Sequence, residues 1–117
     1  MAFYEHIKAQ VKDLDIGLLV LNAGCSNEGF FSALAPEQLQ EMLDTNCYHV
    51  VALMHMFTQT LLARKARSGL ILNASIAAEV PGGKGFFTYC ATKAFVKYLA
   101  GAISMETNKK EFAKVDI

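Results

Sequence analysis

The chain has 117 residues, of which 53% are hydrophobic and 19% charged, and its basic and acidic residues balance to a formal charge of zero. This length and composition predict one globular domain and exclude a disordered chain. The neutral balance gives no electrostatic attraction toward nucleic acid or an anionic membrane surface.

Helical and strand-like segments alternate along the sequence. Phe3–Lys12 is typical of the end of an amphipathic helix, and Ile16–Leu21 is a continuous apolar run of the kind buried on both faces of a parallel sheet. The later predicted elements are a helix over Pro36–Arg67, a strand over Leu70–Ala74, a helix over Thr88–Thr107 and a strand beginning within Lys114–Ile117. Such alternation predicts right-handed crossovers and a doubly wound parallel α/β sheet.

Two stretches bear on the core and the environment of the chain. The apolar stretch Cys47–Ala63 carries interrupting polar residues and is shorter than the roughly 20 residues of a membrane span, so it predicts a buried helix. In the last helix, one apolar stripe consists of Phe95, Tyr98, Ala102 and Met105.

Three widely spaced cysteines, Cys25, Cys47 and Cys90, lack metal-ligand spacing and predict small, buried, reduced thiols in a cytoplasmic compartment.

Tyr89 and Lys93 form the main chemical pattern. Spaced by four at the start of a predicted helix, they share one face. An ammonium beside a phenol favours the phenolate, which suits the pair to proton transfer at a carbonyl oxygen. Tyr4 and Lys8 repeat this spacing outside any predicted site, so the spacing alone does not establish the chemistry.

Several segments, in the same order and at compatible spacings, resemble motifs of the classical short-chain dehydrogenase/reductase family. Leu21–Gly24 resembles its Asn-Asn-Ala-Gly motif, and Gly69–Ser75 resembles the strand that follows. Tyr89–Ala94, with the sequence YCATKA, resembles its Tyr-Ser-Ala-Thr-Lys-Ala signature, and Asn46 falls where the family keeps an active-site asparagine. Within the family, the resemblance is to the β-ketoacyl-CoA reductase and hydroxysteroid dehydrogenase branch.

This resemblance implies an oxidoreductase that uses NAD or NADP on a small-molecule carbonyl/alcohol pair, with no metal. Tyr89 would be the general acid/base, Lys93 would hold the nicotinamide ribose, and Asn46 would anchor a proton-relay water. The backbone passing close to the cofactor would be that of Asn22, Ala23 and Gly24, where glycine permits close approach.

The serine of the family pattern is displaced. Where the family has Asn-x-Ser-Ser, this chain has Asn73-Ala74-Ser75-Ile76, so Ile76 occupies the place of the serine that polarises the substrate carbonyl. Because successive residues of a strand face opposite ways, a shift of one residue turns a side chain away from the substrate, unless the loop adjusts. Ser75 is retained as a catalytic candidate on that basis.

The glycine-rich turn that cradles a dinucleotide diphosphate is absent from the 117 residues. We therefore expect residues 1–117 to be a single partial domain, lacking the N-terminal dinucleotide-binding half of the Rossmann-like fold and downstream substrate-binding segments. Alone, it should be poorly stable and inactive, with an apolar strand edge uncovered. The alternative is a non-catalytic relative that associates, as a homo-oligomer or interaction module, through Pro36–Arg67 and Thr88–Thr107. A longer parent protein could also associate with the endoplasmic reticulum.

Overall fold

The computed structural model describes residues 2–80, 82, 85–107 and 115–116. Its helices are α1 (Ala2–Val11), α2 (Pro36–Leu43), α3 (His49–Ala63) and α4 (Phe87–Thr107), and its strands are β1 (Leu18–Leu21), β2 (Ser68–Leu72) and β3 (Val115–Asp116). The strands are parallel, in the order β1-β2-β3. This confirms the predicted alternation and the parallel α/β sheet. Lys114 and Ile117, the ends of the last predicted strand, lie outside the described residues.

The helix predicted over Pro36–Arg67 is divided. A π-helical turn over Asp44–Tyr48 separates α2 from α3, and the helix ends at Ala63 because Arg64 adopts an extended backbone with ψ 143°. The start matches the prediction, since Pro36 opens α2 and the Gln38 side-chain oxygen accepts from the backbone N–H of Ala35 at 2.9 Å. The predicted end was four residues too late.

The strands are displaced from their predicted bounds in opposite ways. β1 begins two residues later than Ile16, whereas β2 begins at Ser68, so Ser68 and Gly69 open this strand instead of merely stopping the preceding helix. Pairing explains the position of β2, because the N–H of Gly69 donates to the Gly17 carbonyl at 2.9 Å. Polar and glycine residues read as a helix stop are here the first paired residues of a sheet.

The core lies between α3 and one face of the sheet. The buried side chains of α3 pack with Leu21 of β1, Leu70 of β2 and Val96 of α4, as the prediction of a buried helix required. They are Val50, Leu53, Met54, Phe57 and Leu61. None of the helices in the described part of the chain has both the length and the apolar character needed to cross a membrane.

The other face of the sheet is bare in the described residues. Side chains alternate across a strand, so Leu18 and Val20 point away from the side that buries Leu21. Their exposures are 55% and 51%, and Ile71 on β2 is 50% exposed. Among the described residues, α1, α3 and α4 all contribute to the core on the opposite face. The exposed apolar area is therefore a face of the sheet, in addition to the predicted edge.

The apolar stripe of the last helix points outward. Tyr98 and Met105 are each 77% exposed, and Phe95 and Ala102 are also exposed. The core-facing residues of α4 are instead Val96, Leu99 and Ile103. α4 carries apolar residues on more than one of its faces, so periodicity alone could not identify the buried face. The stripe is a surface feature.

A clamp joins the turn before β1 to the start of β2. Arg64 binds Asp15 through two nitrogens, with Nε–Oδ1 at 2.6 Å and Nη2–Oδ2 at 2.9 Å. Its third nitrogen, Nη1, donates to the carbonyl of Arg67 at 2.7 Å and to Ser68 Oγ at 3.2 Å. One guanidinium thus holds the amino ends of two neighbouring strands, with the bidentate geometry that suits carboxylates.

The clamp predicts an acid-dependent part of the stability. The Arg64 guanidinium holds the pKa of the Asp15 carboxyl below its usual value, chiefly by hydrogen bonding. A pKa lower in the folded than in the unfolded state means that the stabilisation is complete above about pH 4 and is lost as pH falls through the folded-state pKa. Asp15→Asn should therefore lower the thermal midpoint at neutral pH, and the difference from wild type should shrink on acidification. Glu28→Gln, in an exposed loop, is the control; a difference between Asp15→Asn and wild type that is unchanged on acidification would contradict this account.

Candidate active site

The candidate site lies at the carboxyl edge of the sheet, where β1 and β2 end side by side. Asn22 follows β1 and Asn73 follows β2, and the Asn73 amide donates to Asn22 Oδ1 at 2.6 Å. The backbone N–H of Asn73 donates to the Leu21 carbonyl at 3.1 Å, which extends the pairing of the two strands by one residue. Crevices at this edge are the usual ligand sites of open α/β sheets.

Lys93 brings a buried cation to this edge. The residue is 5% exposed, and its Nζ donates to the carbonyl of Asn73 at 2.9 Å and lies 5.9 Å from the ring centroid of Tyr89. Within the described residues, no carboxylate forms a salt bridge with it. A buried ammonium without a charged partner is costly, which marks the position as a candidate functional site.

The second Tyr-x-x-x-Lys pair has different surroundings. Tyr4 contacts the rings of Phe3, Tyr48 and His49, while Lys8 is exposed. Burial, with smaller contributions from Tyr48 and Asp44, raises the pKa of Tyr4, away from a useful range for proton transfer near neutral pH. Tertiary surroundings therefore distinguish two copies that the sequence spacing makes identical.

Asn46 sits in the middle of the π-helical turn and is 1% exposed. Its Oδ1 accepts from the backbone N–H of Cys25 at 2.9 Å, and its Nδ2 donates to the Cys25 carbonyl at 2.8 Å and to Thr92 Oγ1 at 2.9 Å. Single π-turns inside helices are frequent at functional sites. Since both amide hydrogens are used by the protein, a water on this side chain would have to donate to the remaining lone pair of Oδ1.

Gly24 leaves space between the two polar groups. A Cβ at this position would lie 3.2 Å from Lys93 Nζ and 3.3 Å from Asn46 Oδ1. A side chain there would crowd the ammonium, so a glycine keeps the approach open. Asn22, Ala23 and Gly24 are all exposed. The predicted loop, asparagine and lysine are thus brought together in space.

The displaced serine, Ser75, forms a hydrogen bond close to its own position in the chain. Ser75 is in extended conformation, and its Oγ accepts from the N–H of Ala77 at 3.1 Å, capping a short 3-10 turn over Ile76–Glu79. A hydroxyl that accepts one bond keeps its own hydrogen for donation. Ile76, at the place of the family serine, is 84% exposed. An ion pair between Glu79 and Lys97, at 2.6 Å, joins this turn to α4.

Sequence reasoning missed Thr92 and two backbone groups. Thr92 is 2% exposed and contacts Asn46, yet nothing in the spacing of a threonine before a lysine indicates that contact. The missed backbone partners are the peptide of Cys25 and the carbonyl of Asn73, neither of which has a side-chain signal. These contacts link residues 20 to 46 positions apart, so only the fold reveals them.

The cysteines are less buried than predicted. Cys90 is buried, but Cys25 and Cys47 are only partly so, and all three are free thiols. Burial raises the pKa of the Cys47 thiol, and the nearby Lys93 ammonium partly opposes that shift. Among the described residues, no cluster of three or more histidine, cysteine, aspartate or glutamate side chains could hold a metal ion.

Comparison with known proteins gives consistent relatives. The family model described as short chain dehydrogenase matches residues 1–117. The chain is 34% identical over 106 residues to the very-long-chain 3-oxoacyl-CoA reductase of Ajellomyces capsulatus, covering 88% of this chain and 30% of that protein. It is 33% identical over 110 residues to the 17-beta-hydroxysteroid dehydrogenase type 3 of Homo sapiens, covering 92% of this chain and 35% of that protein.

Solved structures share the fold. An NADH-dependent reductase, A1-R', responsible for alginate metabolism aligns with a TM-score of 0.82 and 23% identity, covering 96% of this chain and 47% of that one. A short chain dehydrogenase/reductase from Burkholderia phymatum, in complex with NAD, aligns with a TM-score of 0.84 and 19% identity. The alignment covers 97% of this chain and 40% of that one. The chain spans 30–35% of the length of the two sequence relatives described above.

Proposed function

Because the chain belongs to the short-chain dehydrogenase family, we propose that it supplies the catalytic groups of an oxidoreductase acting on a carbonyl/alcohol pair, with NAD or NADP as the hydride carrier. The observation that carries the proposal is the buried Lys93 ammonium between the Tyr89 ring and the Asn73 carbonyl, beside the open backbone at Gly24. The same spacing at Tyr4 and Lys8 lacks each of these features.

In the proposed mechanism, the Tyr89 hydroxyl donates a proton to the carbonyl oxygen as the carbonyl carbon becomes tetrahedral. The neighbouring Lys93 ammonium stabilises the phenolate that remains, because an opposite charge nearby favours the ionised form. The nicotinamide, when bound, supplies the hydride. Asn46 holds the Cys25 peptide, and hence the loop after β1, in place through its two hydrogen bonds to that peptide. Ser75 is the candidate donor that polarises the carbonyl, through its remaining hydroxyl hydrogen.

The described residues fit one end of the cofactor. The open backbone of Asn22–Gly24 and the ammonium of Lys93 would receive the nicotinamide and its ribose, where Lys93 can donate to ribose hydroxyls. The sequence contains no glycine-rich turn for the diphosphate. We therefore propose that the 117 residues alone do not hold the cofactor and do not turn over.

We propose a ketone carried by a largely apolar molecule as the substrate class. The relatives named above reduce or oxidise very-long-chain 3-oxoacyl-CoA and 17-beta-hydroxysteroids by their names, and both kinds of molecule present an apolar skeleton beside a ketone or alcohol. The exposed apolar side chain of Ile76, directly after Ser75, supports this choice. A polar sugar ketone would gain nothing from that side chain.

A second candidate function is association through the outer face of α4. The exposed stripe of Phe95, Tyr98 and Met105 favours it. So does an apolar cavity of about 420 Å³ beside the start of the helix, lined by Phe31, Leu39, Leu43, Phe87, Thr88 and Ala91. Exposed apolar patches commonly mark contact surfaces between proteins. In this alternative the chain is a homo-oligomerisation or interaction module without catalysis.

The test joins this chain to a working dinucleotide-binding segment. A chimera that places the dinucleotide-binding half of a family member before residue 1, and the substrate-binding segments of the same protein after residue 117, is expected to oxidise NADH or NADPH when an apolar ketone is present. The 117-residue chain should show no turnover under the same conditions. The loss of absorbance of the reduced nicotinamide measures both.

The outcomes separate the two functions. A chimera that binds the cofactor and folds, yet reduces no ketone, would rule out the enzymatic proposal. Self-association of the same protein in sedimentation equilibrium would then support the interaction module. A glycine-to-aspartate change in the added turn is the control, and it should abolish turnover by removing the diphosphate cradle.

A further inference from the structure

Thr92 connects two elements of the site that meet only in the folded chain. Its Oγ1 accepts from Asn46 Nδ2 at 2.9 Å and donates to the carbonyl of Tyr89 at 2.7 Å. Thr92 is 2% exposed and Asn46 1% exposed, so water cannot readily replace either partner. The hydroxyl therefore bridges the π-helical turn and the first turn of α4.

The bridge fixes the direction of every hydrogen bond in a chain of four groups. Because the Thr92 hydroxyl hydrogen is used on the Tyr89 carbonyl, its oxygen can only accept from Asn46, which requires the amide nitrogen on that side. The Asn46 oxygen must then face the N–H of Cys25. The same oxygen lies 3.3 Å from the point that a Cβ at Gly24 would occupy, and Lys93 Nζ lies 3.2 Å from that point. The orientation of the Asn46 amide is thus fixed at both ends.

We infer that Thr92 is a positioning residue, whose hydroxyl holds the turn carrying Tyr89 and Lys93 in register with the loop after β1 by fixing the Asn46 amide. It acts through Asn46 and touches no reacting atom in the proposed mechanism. The inference rests on the proposed function for its purpose, since a catalytic pair needs fixed geometry relative to its ligand. Its geometry can be tested without turnover.

The test is NMR spectroscopy of the full chain and three variants. In Thr92→Val, which keeps the shape and removes the hydroxyl, the Asn46 side-chain amide hydrogens should exchange about fivefold faster, as expected for loss of one hydrogen bond. The Lys93 ammonium signal should shift as well, because the Asn46 oxygen and Lys93 Nζ lie 3.3 Å and 3.2 Å from the same point, the Cβ position of Gly24. Thr92→Ser, which retains the hydroxyl, should restore both signals.

Thr58→Val is the matched control. The hydroxyl of Thr58 also donates to a carbonyl of its own helix, that of Met54 at 2.6 Å, but Thr58 lies on the far part of α3 from Asn46. This variant should leave the Asn46 and Lys93 signals unchanged. A Thr92→Val chain that melts at a lower temperature, yet keeps the wild-type Asn46 exchange and Lys93 signal, would reduce Thr92 to a structural role.

A measurement on the unaltered chain covers the case in which Thr92→Val does not fold. Nuclear Overhauser contacts between the Asn46 amide hydrogens and the Thr92 side chain are expected in the wild type. Their absence would overturn the inference without any variant. These readouts involve no cofactor or substrate, so failure of the proposed function and failure of this inference give different results.

Discussion

Replacing Tyr89 with phenylalanine in the chimera should lower kcat about a thousandfold, within the range that a positioned proton donor contributes. The ring remains, so packing against Phe86 and the position of the Lys93 ammonium over the ring should be kept. KM should change little, because the lost hydroxyl serves the transition state more than binding. Initial rates at saturating ketone and reduced cofactor measure the effect.

The control comes from the second copy of the motif. Tyr4→Phe removes the hydroxyl from a tyrosine with the same spacing to a lysine, Lys8, but with no place at the sheet edge. Its kcat should match that of the unaltered chimera. If Tyr89→Phe kept more than about a tenth of the activity, proton transfer would have to come from another group, with Ser75 the first to examine.

Replacing Asn46 with alanine should lower the free energy of unfolding by roughly 2–4 kcal/mol. The variant leaves the N–H and the carbonyl of the partly buried Cys25, and the buried hydroxyl of Thr92, without the Asn46 side chain as a partner. Unsatisfied buried polar groups cost more than the net value of the bonds they made. Urea unfolding of the chimera, followed by circular dichroism, gives the value.

Asn27→Ala provides the comparison for Asn46. The Asn27 side chain also makes several hydrogen bonds, to Gln38 and Glu41, but these lie near the surface, where water can replace them. The Asn27→Ala variant should lose less than about 1 kcal/mol in its free energy of unfolding. Equal losses for the two variants would mean that water enters the Asn46 site and that the π-helical turn is not held by this side chain.

The sequence predicted what depends on local pattern and order along the chain. Alternating apolar runs and helices led to the parallel sheet, and the resemblance to the family assigned Asn22, Asn46 and Lys93 to one site. The helix end at Ala63 was missed because Arg64 leaves the helix to reach Asp15, a partner 49 positions away. Long-range contacts of this kind override local helix propensity.

The outward face of α4 shows a second limit. The sequence places Phe95, Tyr98 and Met105 on one apolar stripe, yet the core takes Val96, Leu99 and Ile103 instead. Hydrophobicity indicates which residues avoid water, but not which of two apolar faces finds the sheet. The contact of Thr92 was not predicted for a different reason. A small polar residue in a helix gives no sequence signal until its partner is known.

The clamp of Asp15 and Arg64 and the Asn46 network occupy opposite ends of the same two strands. The clamp holds the amino ends, where each strand starts, while the chemistry collects where the strands finish. Substitutions at separate sites without shared partners usually add in their effects on stability. The stability of the fold toward heat or acid can therefore change independently of the chemistry of the site. Substitutions around Asp15 leave the Tyr89–Lys93 geometry unchanged.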